Sequence, residues 1–451
     1  MKATIIRNTY NLMMLAIFSL ASCETFLDVQ PRDEASDEVT IVDLGSAETA
    51  LNGAYRSLAS NGYYGTTFQF AIYLQGGELA WGDSRTVNRE FIQHDVRSDN
   101  EEVESAWVAI YNTINQANHI IAKVPILPDQ LIDGASRNRI LGEAYFIRAL
   151  AYFDLARTWG GVQLVLTPTE SVDDTKGISR SSLAETYAQV LRDLDEAESR
   201  LPTGVNRVRA TKNTVWALKA RFYLYQQDWE QAEFYASALI EDPNYTLMKP
   251  YSSWFANNVV GSRESVFETA YSNNNTNGHR NNWQPPVNGG VRRWFPTDEF
   301  ISQVTDPAIG GGRKALVAQT SSGIWYGNLY YRNPPVDPSY VIRIAELYLI
   351  RAEARANLGG SRLVGALEDL NTIRDRAELK PDSASTKETL LLAIENERRF
   401  EFAFEPHRWF DLVRTGRADE VLNLTDPDKY VLPIPIGQIL IDPALEQNHG
   451  Y

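Results

Sequence analysis

Residues 395–414, ENERRFEFAFEPHRWFDLVR, constrain what this chain can fold into more than any other stretch. Five acids and four arginines stand among four phenylalanines and a tryptophan in 20 positions. At helical spacing Ile394, Arg398 and Phe402 lie one above another. Arg398 therefore falls on the apolar stripe, with Glu401 and Glu405 within reach of the same side. A guanidinium is kept inside a protein when carboxylates and hydrogen bonds fill its fork. The segment reads as a buried ionic clasp joining helices. The alternative is a catalytic carboxylate cluster, but the balance of acids and bases favours the clasp.

Helical periodicity dominates the rest of the chain. Apolar positions recur at helical spacing over 45–60, 101–123, 136–157, 182–200 and 215–226. Residues 68–79 can continue as helix, and 76–85 read as a loop around Trp81. Asn115 and Asn118 are read as helix-to-helix hydrogen bonds. Arg148 and Asp154, embedded in an aromatic helix, have packing and ion-pair duty. Gly160-Gly161 suits a helix end where φ turns positive. Ala220 and Ala232 are 12 apart, as are Ala354 and Ala366 within the paired runs 343–357 and 364–376. Tetratricopeptide-like repeats place small residues at that offset. The expected fold is mainly α, with tetratricopeptide-like helix pairs stacked into a right-handed superhelical scaffold.

Between the pairs, residues 251–340 form a loop-rich insert with few short strands, one of them near 266–269. It is rich in Asn, Gly, Pro, Tyr and Trp, and so long a non-helical span in a helical protein is usually functional. Trp283, Trp294, Trp325, Tyr326, Tyr330 and Tyr331 fall in or beside its loops.

The chain has 451 residues and a formal net charge of −15, which disfavours nucleic acid and anionic lipid head groups as partners. Its five histidines are scattered, and no zinc, nucleotide or nucleophile-elbow motif occurs. No metal site and no cofactor are expected. A glycosidase needs two poised carboxylates. The 58 acids leave a pair open, but the embedded ones stand beside arginines that keep them ionised. What remains is a binding surface, where flat rings cover the weakly polar face of a sugar and Asn, Asp or Arg takes its hydroxyl rim. The candidate ligand residues are Trp81, Tyr63, Tyr64, Asp83 and Arg85, with Trp283, Asn281, Asn282 and Trp325. Trp81 is the first choice, while Trp107, Trp159, Trp216 and Trp409 read as core.

Residues 1–22 have the positive start and short apolar run of a secretory signal. Leu20-Ala21-Ser22-Cys23 is a lipobox pattern, and Cys23 is the chain's one cysteine. Cys23 is the expected lipid anchor, with 23–43 a tether, 44–250 an N-terminal helical part, and 251–451 a C-terminal part within one compact unit.

Four blocks together resemble the SusD/RagB family. They are C-x-x-x-L-D-x-x-P from Cys23 to Pro31, the run EAYFIRALAYFDLARTWGGVQLV, the 395–414 segment, and the closing P-I-P with Asp442, Leu445, Gln447, Asn448, Gly450 and Tyr451. The segment matches E-x-x-R-x-x-E-F-x-x-E-x-x-R-W-x-D-L-x-R through Glu395, Arg398, Glu401, Phe402, Glu405, Arg408, Trp409, Asp411, Leu412 and Arg414. Asp442 stands where asparagine is common. The resemblance implies a glycan-binding lipoprotein of the outer membrane, facing the exterior, that delivers oligosaccharide to a SusC-like TonB-dependent transporter. Peptide capture by the same system is the alternative reading, and an all-helical glycosidase a third. The ligand sites of such proteins lie in loops of the early helices and of the central insert.

Overall fold

Each of seven long helices opens on a side chain that accepts a hydrogen bond from its own first turn: Asp43, Asn100, Asp133, Ser182, Thr211, Asp228 and Thr386. Such a cap stabilises a helix by about 1 kcal/mol. The computed structural model describes residues 41–82, 84–257 and 259–451. The signal, most of the tether including Cys23, and Asp83 lie outside the described residues.

In chain order the elements are α1 (Leu44–Leu58), α2 (Thr67–Tyr73), β1 (Leu79–Trp81), α3 (Thr86–Ile92), α4 (Glu101–Lys123), α5 (Gly134–Trp159), α6 (Leu183–Arg200), α7 (Lys212–Gln226) and α8 (Trp229–Ile240). The insert comes next, with β2 (Ser265–Thr269), α9 (His279–Trp283), β3 (Trp294–Pro296), α10 (Asp298–Thr305), β4 (Val317–Gln319), β5 (Trp325–Gly327) and β6 (Ser339–Arg343). The chain returns to helix in α11 (Ile344–Leu358), α12 (Arg362–Arg376), α13 (Lys387–Glu401), α14 (Arg408–Arg414), α15 (Ala418–Leu422) and α16 (Ile436–Ile441).

The long helices pack as neighbours in series: α4 on α5, α5 on α6, α6 on α7, α7 on α8, α11 on α12 and α12 on α13. The series is not broken by the insert, because α8 packs directly on α11. The fold is mainly α, with helix pairs of the tetratricopeptide kind. Ala220, Ala232, Ala354 and Ala366 are all fully buried at the seams, where a small side chain lets two helix backbones approach. Asp43–Tyr451 is one compact unit, so no boundary separates 44–250 from 251–451.

α5 is the central post. From Ile140 to Trp159 only Tyr145 is not buried. It ends at Gly160, φ +80°, which releases the chain without the penalty a side chain would meet. At Gly161 a Cβ would come within 2.1 Å of the Ser181 carbonyl oxygen, so only glycine lets the returning segment close in. Arg148 pairs with Asp193 of α6, Nη2 to Oδ1 2.7 Å, and not with Asp154. Asn115 and Asn118 bond less to a helix than to the segment leaving α5. Asn115 Nδ2 donates to the Thr169 carbonyl and Asn118 Nδ2 to those of Val165 and Thr167, while Asn118 Oδ1 accepts from Arg148. The chain's end is tied to the same post, for Trp159 Nε1 donates to the Pro433 carbonyl at 3.0 Å.

The 395–414 segment is two helices, not one. α13 stops at Glu401, and the turn after it puts Phe404 at φ +70° before α14 begins. The clasp expected there is present, with different partners. Arg398 Nε meets Asp411 Oδ2 at 2.7 Å, across the turn. Glu401 and Glu405 instead face Arg343, at 3.0 and 2.6 Å. Arg343 also reaches Glu264 at 2.7 Å, Arg376 binds Glu264 and Glu401, and Arg313 takes Glu397 and Glu401 at 2.5 and 2.9 Å. With Arg374 on Glu397 at 2.9 Å, four guanidiniums meet four carboxylates. Arg343 also lies under the Trp254 ring, 4.0 Å from its centroid. Glu264, Arg313 and Arg343 belong to the insert, Arg376 to α12 and Glu401 to α13. The clasp therefore fastens the insert to the helical body.

Candidate functional site

The insert contributes to three two-stranded antiparallel ribbons: β1 with β3, β2 with β6, and β4 with β5. Residues 76–85, expected as loop, thus include β1, and helix ends at Tyr73 with a tight turn over Leu74–Gly76. β1 and β3 pair Leu79 with Pro296, Ala80 with Phe295, and Trp81 with Trp294. Directly opposed residues share a face. Trp294 and Leu79 are buried, so Trp81 sits on the inner face at the ribbon's end, half-buried. Phe295 points the other way and is half-exposed.

The neighbouring groups are held by the backbone. The Gly82 N–H donates to the Arg293 carbonyl at 2.9 Å. Residues 291–293 are laced to α9 and the residue that caps it: the Asn281, Asn282 and Gln284 carbonyls accept from Val291, Arg293 and Arg292. Arg292 adopts φ +46°, an unfavourable conformation for a side-chain-bearing residue. It places its guanidinium 3.7 Å from the Phe295 ring centroid and donates from Nε to the Trp325 carbonyl at 2.8 Å. Tyr326, next to Trp325, is half-exposed and is paired with Ala318 across β4 and β5. The partly exposed Phe295 ring thus carries a cation, with half-exposed Trp325 and Tyr326 on the neighbouring strand and the exposed Asn281 tied to the same turn. Flat apolar faces beside fixed donors match the surface of a sugar ring.

The other expected ligand residues are placed elsewhere. Tyr63 and Tyr64 are 0% and 1% exposed, and their hydroxyls donate to Asp154 Oδ2 at 2.6 and 2.8 Å. Burial pushes both phenols well above their usual range, so they stay protonated donors. Asp154 is held on its other oxygen by Arg157 at 2.7 Å. These tyrosines are core residues, which their local loop-like sequence did not reveal. Trp283 is also core. It packs against Tyr73, Trp294 and Phe404, and lies so flat on β5 that a Cβ at Gly327 would come within 2.4 Å of it. Asn282 is buried and donates to the Gly278 carbonyl. Arg85 braces the start of α4 through Glu101 and Glu102, at 2.6 and 2.8 Å. Asn281 and Trp325 are tied through their carbonyls to Val291 and Arg292 beside β3, whereas the Trp81 ring turns to the inner face, 5.9 Å from the Arg89 guanidinium. Phe295 and Arg292 were not among the expected residues, although the alternation of Trp294, Phe295 and Pro296 after a pair of arginines is a strand-like signal.

A larger cavity, 490 Å³, lies between α7, α11, α13 and α14. Six of its seven charged side chains satisfy one another: Arg398 with Asp411, Arg414 with Glu353, and Arg417 with Glu395. The buried carboxylates of the clasp are likewise occupied. Burial would raise the Glu401 pKa, but Arg376, Arg313 and Arg343 outweigh it and hold the group at about 2. Such a group does not donate a proton near neutrality. Among the described residues no cluster of three His, Cys, Asp or Glu is placed to hold a metal ion.

Comparison with known proteins gives a consistent result. A profile described as "SusD family" matches residues 336–425, and one described as "Starch-binding associating with outer membrane" matches 25–224. The chain belongs to the SusD/RagB family. A SusD-like protein of Formosa agariphila is 27% identical, over 98% of this chain and 98% of its own. A SusD superfamily protein from Bacteroides vulgatus superposes with a TM-score of 0.79 at 26% identity, covering 91% of this chain and all of that one. A structure described as a laminarin-binding SusD-like protein superposes with the same score at 22% identity, over 91% of this chain and 100% of its own. Membership places this SusD-like chain among carbohydrate-binding proteins associated with the outer membrane.

Proposed function

We propose that this SusD-like protein captures neutral oligosaccharide on the outer face of the β1–β3 ribbon and the neighbouring β5, and passes it on chemically unchanged. The observation carrying this reading is the half-exposed Phe295 ring with the Arg292 guanidinium on it, and half-exposed Trp325 and Tyr326 of β5 tied beside it through the Trp325 carbonyl. Two related descriptions support the ligand class, the starch-binding family profile and the laminarin-binding structural relative. The recipient is a SusC-like TonB-dependent transporter, met by the helix-pair face, where Phe234, Val364 and Leu392 are exposed. Cys23, by its lipobox, anchors the chain to the outer membrane, and two or more acyl chains make such an anchor stable. The neutralised acids of the clasp support a role without catalysis.

The test is affinity electrophoresis in gels containing starch or laminarin, with Phe295→Ala and Tyr326→Ala. Each substitution is expected to cost about 1–2 kcal/mol of binding, roughly 5- to 30-fold, with the melting temperature nearly unchanged. Unaltered retardation of both variants rejects the ribbon as the site. Retardation by neither polysaccharide, with binding of peptides instead, favours the peptide reading. Reducing ends released by the purified protein alone would make it a glycosidase.

A further inference from the structure

A second cavity has a lining unlike the first. It measures 210 Å³ and lies between α4, the segment leaving α5, and α16. Trp107, 3% exposed, forms part of its floor, with the half-buried Tyr111 ring 5.0 Å away by centroids. Asn112, Gln163 and Gln438 supply the polar lining. No charged side chain lines it, whereas seven line the 490 Å³ cavity. In a chain with 22% charged residues, that neutrality selects against ions and zwitterions.

The polar groups also have capacity to spare. Tyr111 donates its hydroxyl to the Gln163 carbonyl at 2.9 Å, leaving the phenolic oxygen free to accept. Gln163 is 8% exposed and spends its Nε2 on Ile178 and Asp442; no described residue donates to its Oε1. Gln438 likewise uses only Nε2, toward Glu104 at 3.4 Å. Asn112 is exposed, with no side-chain hydrogen bond among the described residues. Asn115, by contrast, is fully used by the Thr169 backbone, so it shapes the wall. Two aromatic rings, two free amide oxygens, a phenolic acceptor and a whole free amide converge on one space. The volume is below the roughly 300–1,000 Å³ of drug-sized ligand pockets, and suits a single ring.

We infer that this cavity is a second carbohydrate site, taking one neutral hexopyranose unit, with its apolar face toward Trp107 and Tyr111 and its hydroxyls on Gln163, Gln438 and Asn112. The inference rests on the reading that this chain handles neutral sugars, but on no residue of the ribbon. A sugar hydroxyl both donates and accepts, so the acceptor-rich rim is satisfied without a charge.

The test is saturation-transfer NMR on the folded chain with methyl β-glucoside, methyl α-glucoside, laminaritriose and maltotriose. Asn112→Trp fills the cavity from an exposed position. It is expected to keep the melting temperature and lose the signal of the methyl glucosides. Phe295→Ala with Tyr326→Ala is expected to keep that signal and to weaken binding of the trisaccharides to the level of the methyl glucosides. Asn112→Trp with every signal intact overturns the inference, as does the absence of any signal from the unaltered protein. Loss in Asn112→Trp alone, with the ribbon variant unchanged throughout, leaves the cavity standing and removes the ribbon instead. A crystal soaked in methyl β-glucoside should show the ring between Trp107 and Gln438.

Discussion

Arg343 shows what one side chain does here. Its fork touches Glu405, Glu264 and Glu401, and Nη2 also donates to the Glu401 carbonyl at 2.9 Å. Removing one partner of a buried ion pair leaves the others uncompensated, so Arg343→Ala should destabilise by about 3–5 kcal/mol in urea denaturation. Arg398→Ala should cost less, about 1–3 kcal/mol, because Asp411 keeps Arg414 at 2.8 Å. Protonation probes the same cluster. Burial raises the Glu401 pKa, but the three arginines outweigh it and hold the folded value at about 2, against 4.5 for the free side chain. A depressed carboxylate stabilises the fold above its unfolded pKa, and that contribution is lost as pH falls toward the folded pKa. Stability contributed by Glu401 should therefore be full above about pH 5 and decline from there to about pH 2. A Glu401→Gln variant should show a shallower decline in that window in acid titration followed by circular dichroism. That Arg398 is buried was legible in its helical position. Its partner was not, because Asp411 lies across a turn that helical spacing does not foresee. Tyr63 and Tyr64 were misread for a related reason, since their partner Asp154 is 91 and 90 residues away in sequence.

At the scale of elements, long helices were the readable part. Residues 101–123 coincide with α4, and 182–200 with α6 and its cap. Caps, apolar periodicity and the spaced alanines all act locally, so a local reading finds them. The strands of three to five residues were less legible. β1 offers one alternation, too short to separate from a loop around a tryptophan. β2 was found because Val266 to Thr269 is β-branched and aromatic. The glycine pair after α5 gives a test. Gly161→Ala drives a methyl into the Ser181 carbonyl, at 2.1 Å without movement. It should cost about 1–3 kcal/mol, read as a lower melting temperature. Equal stability would mean that the segment after α5 yields freely.

For the whole molecule, the union of α8 with α11 behind the insert and the clasp in front of it predicts a single cooperative event. Unfolding of Asp43–Tyr451 should give coincident curves by far-UV circular dichroism, which tracks the helices, and by tryptophan fluorescence, which also reports on the insert. Two separated transitions would mean that the insert melts on its own. The ligand surface could not be drawn from sequence in the same way. Aromatics crowd the insert, and the pleat of short ribbons decides which ring faces inward. Trp294 of β3 went inside, while Phe295 and Tyr326 stayed at the rim.

The junction between α8 and α11 has a consequence for how such a binder can change over generations. The stack of helices closes on itself without the intervening loops, which are bolted on through Glu264, Arg313 and Arg343. Mutation can redraw nearly everything between those fixings, exchanging one diet for another, and the frame behind them need not notice.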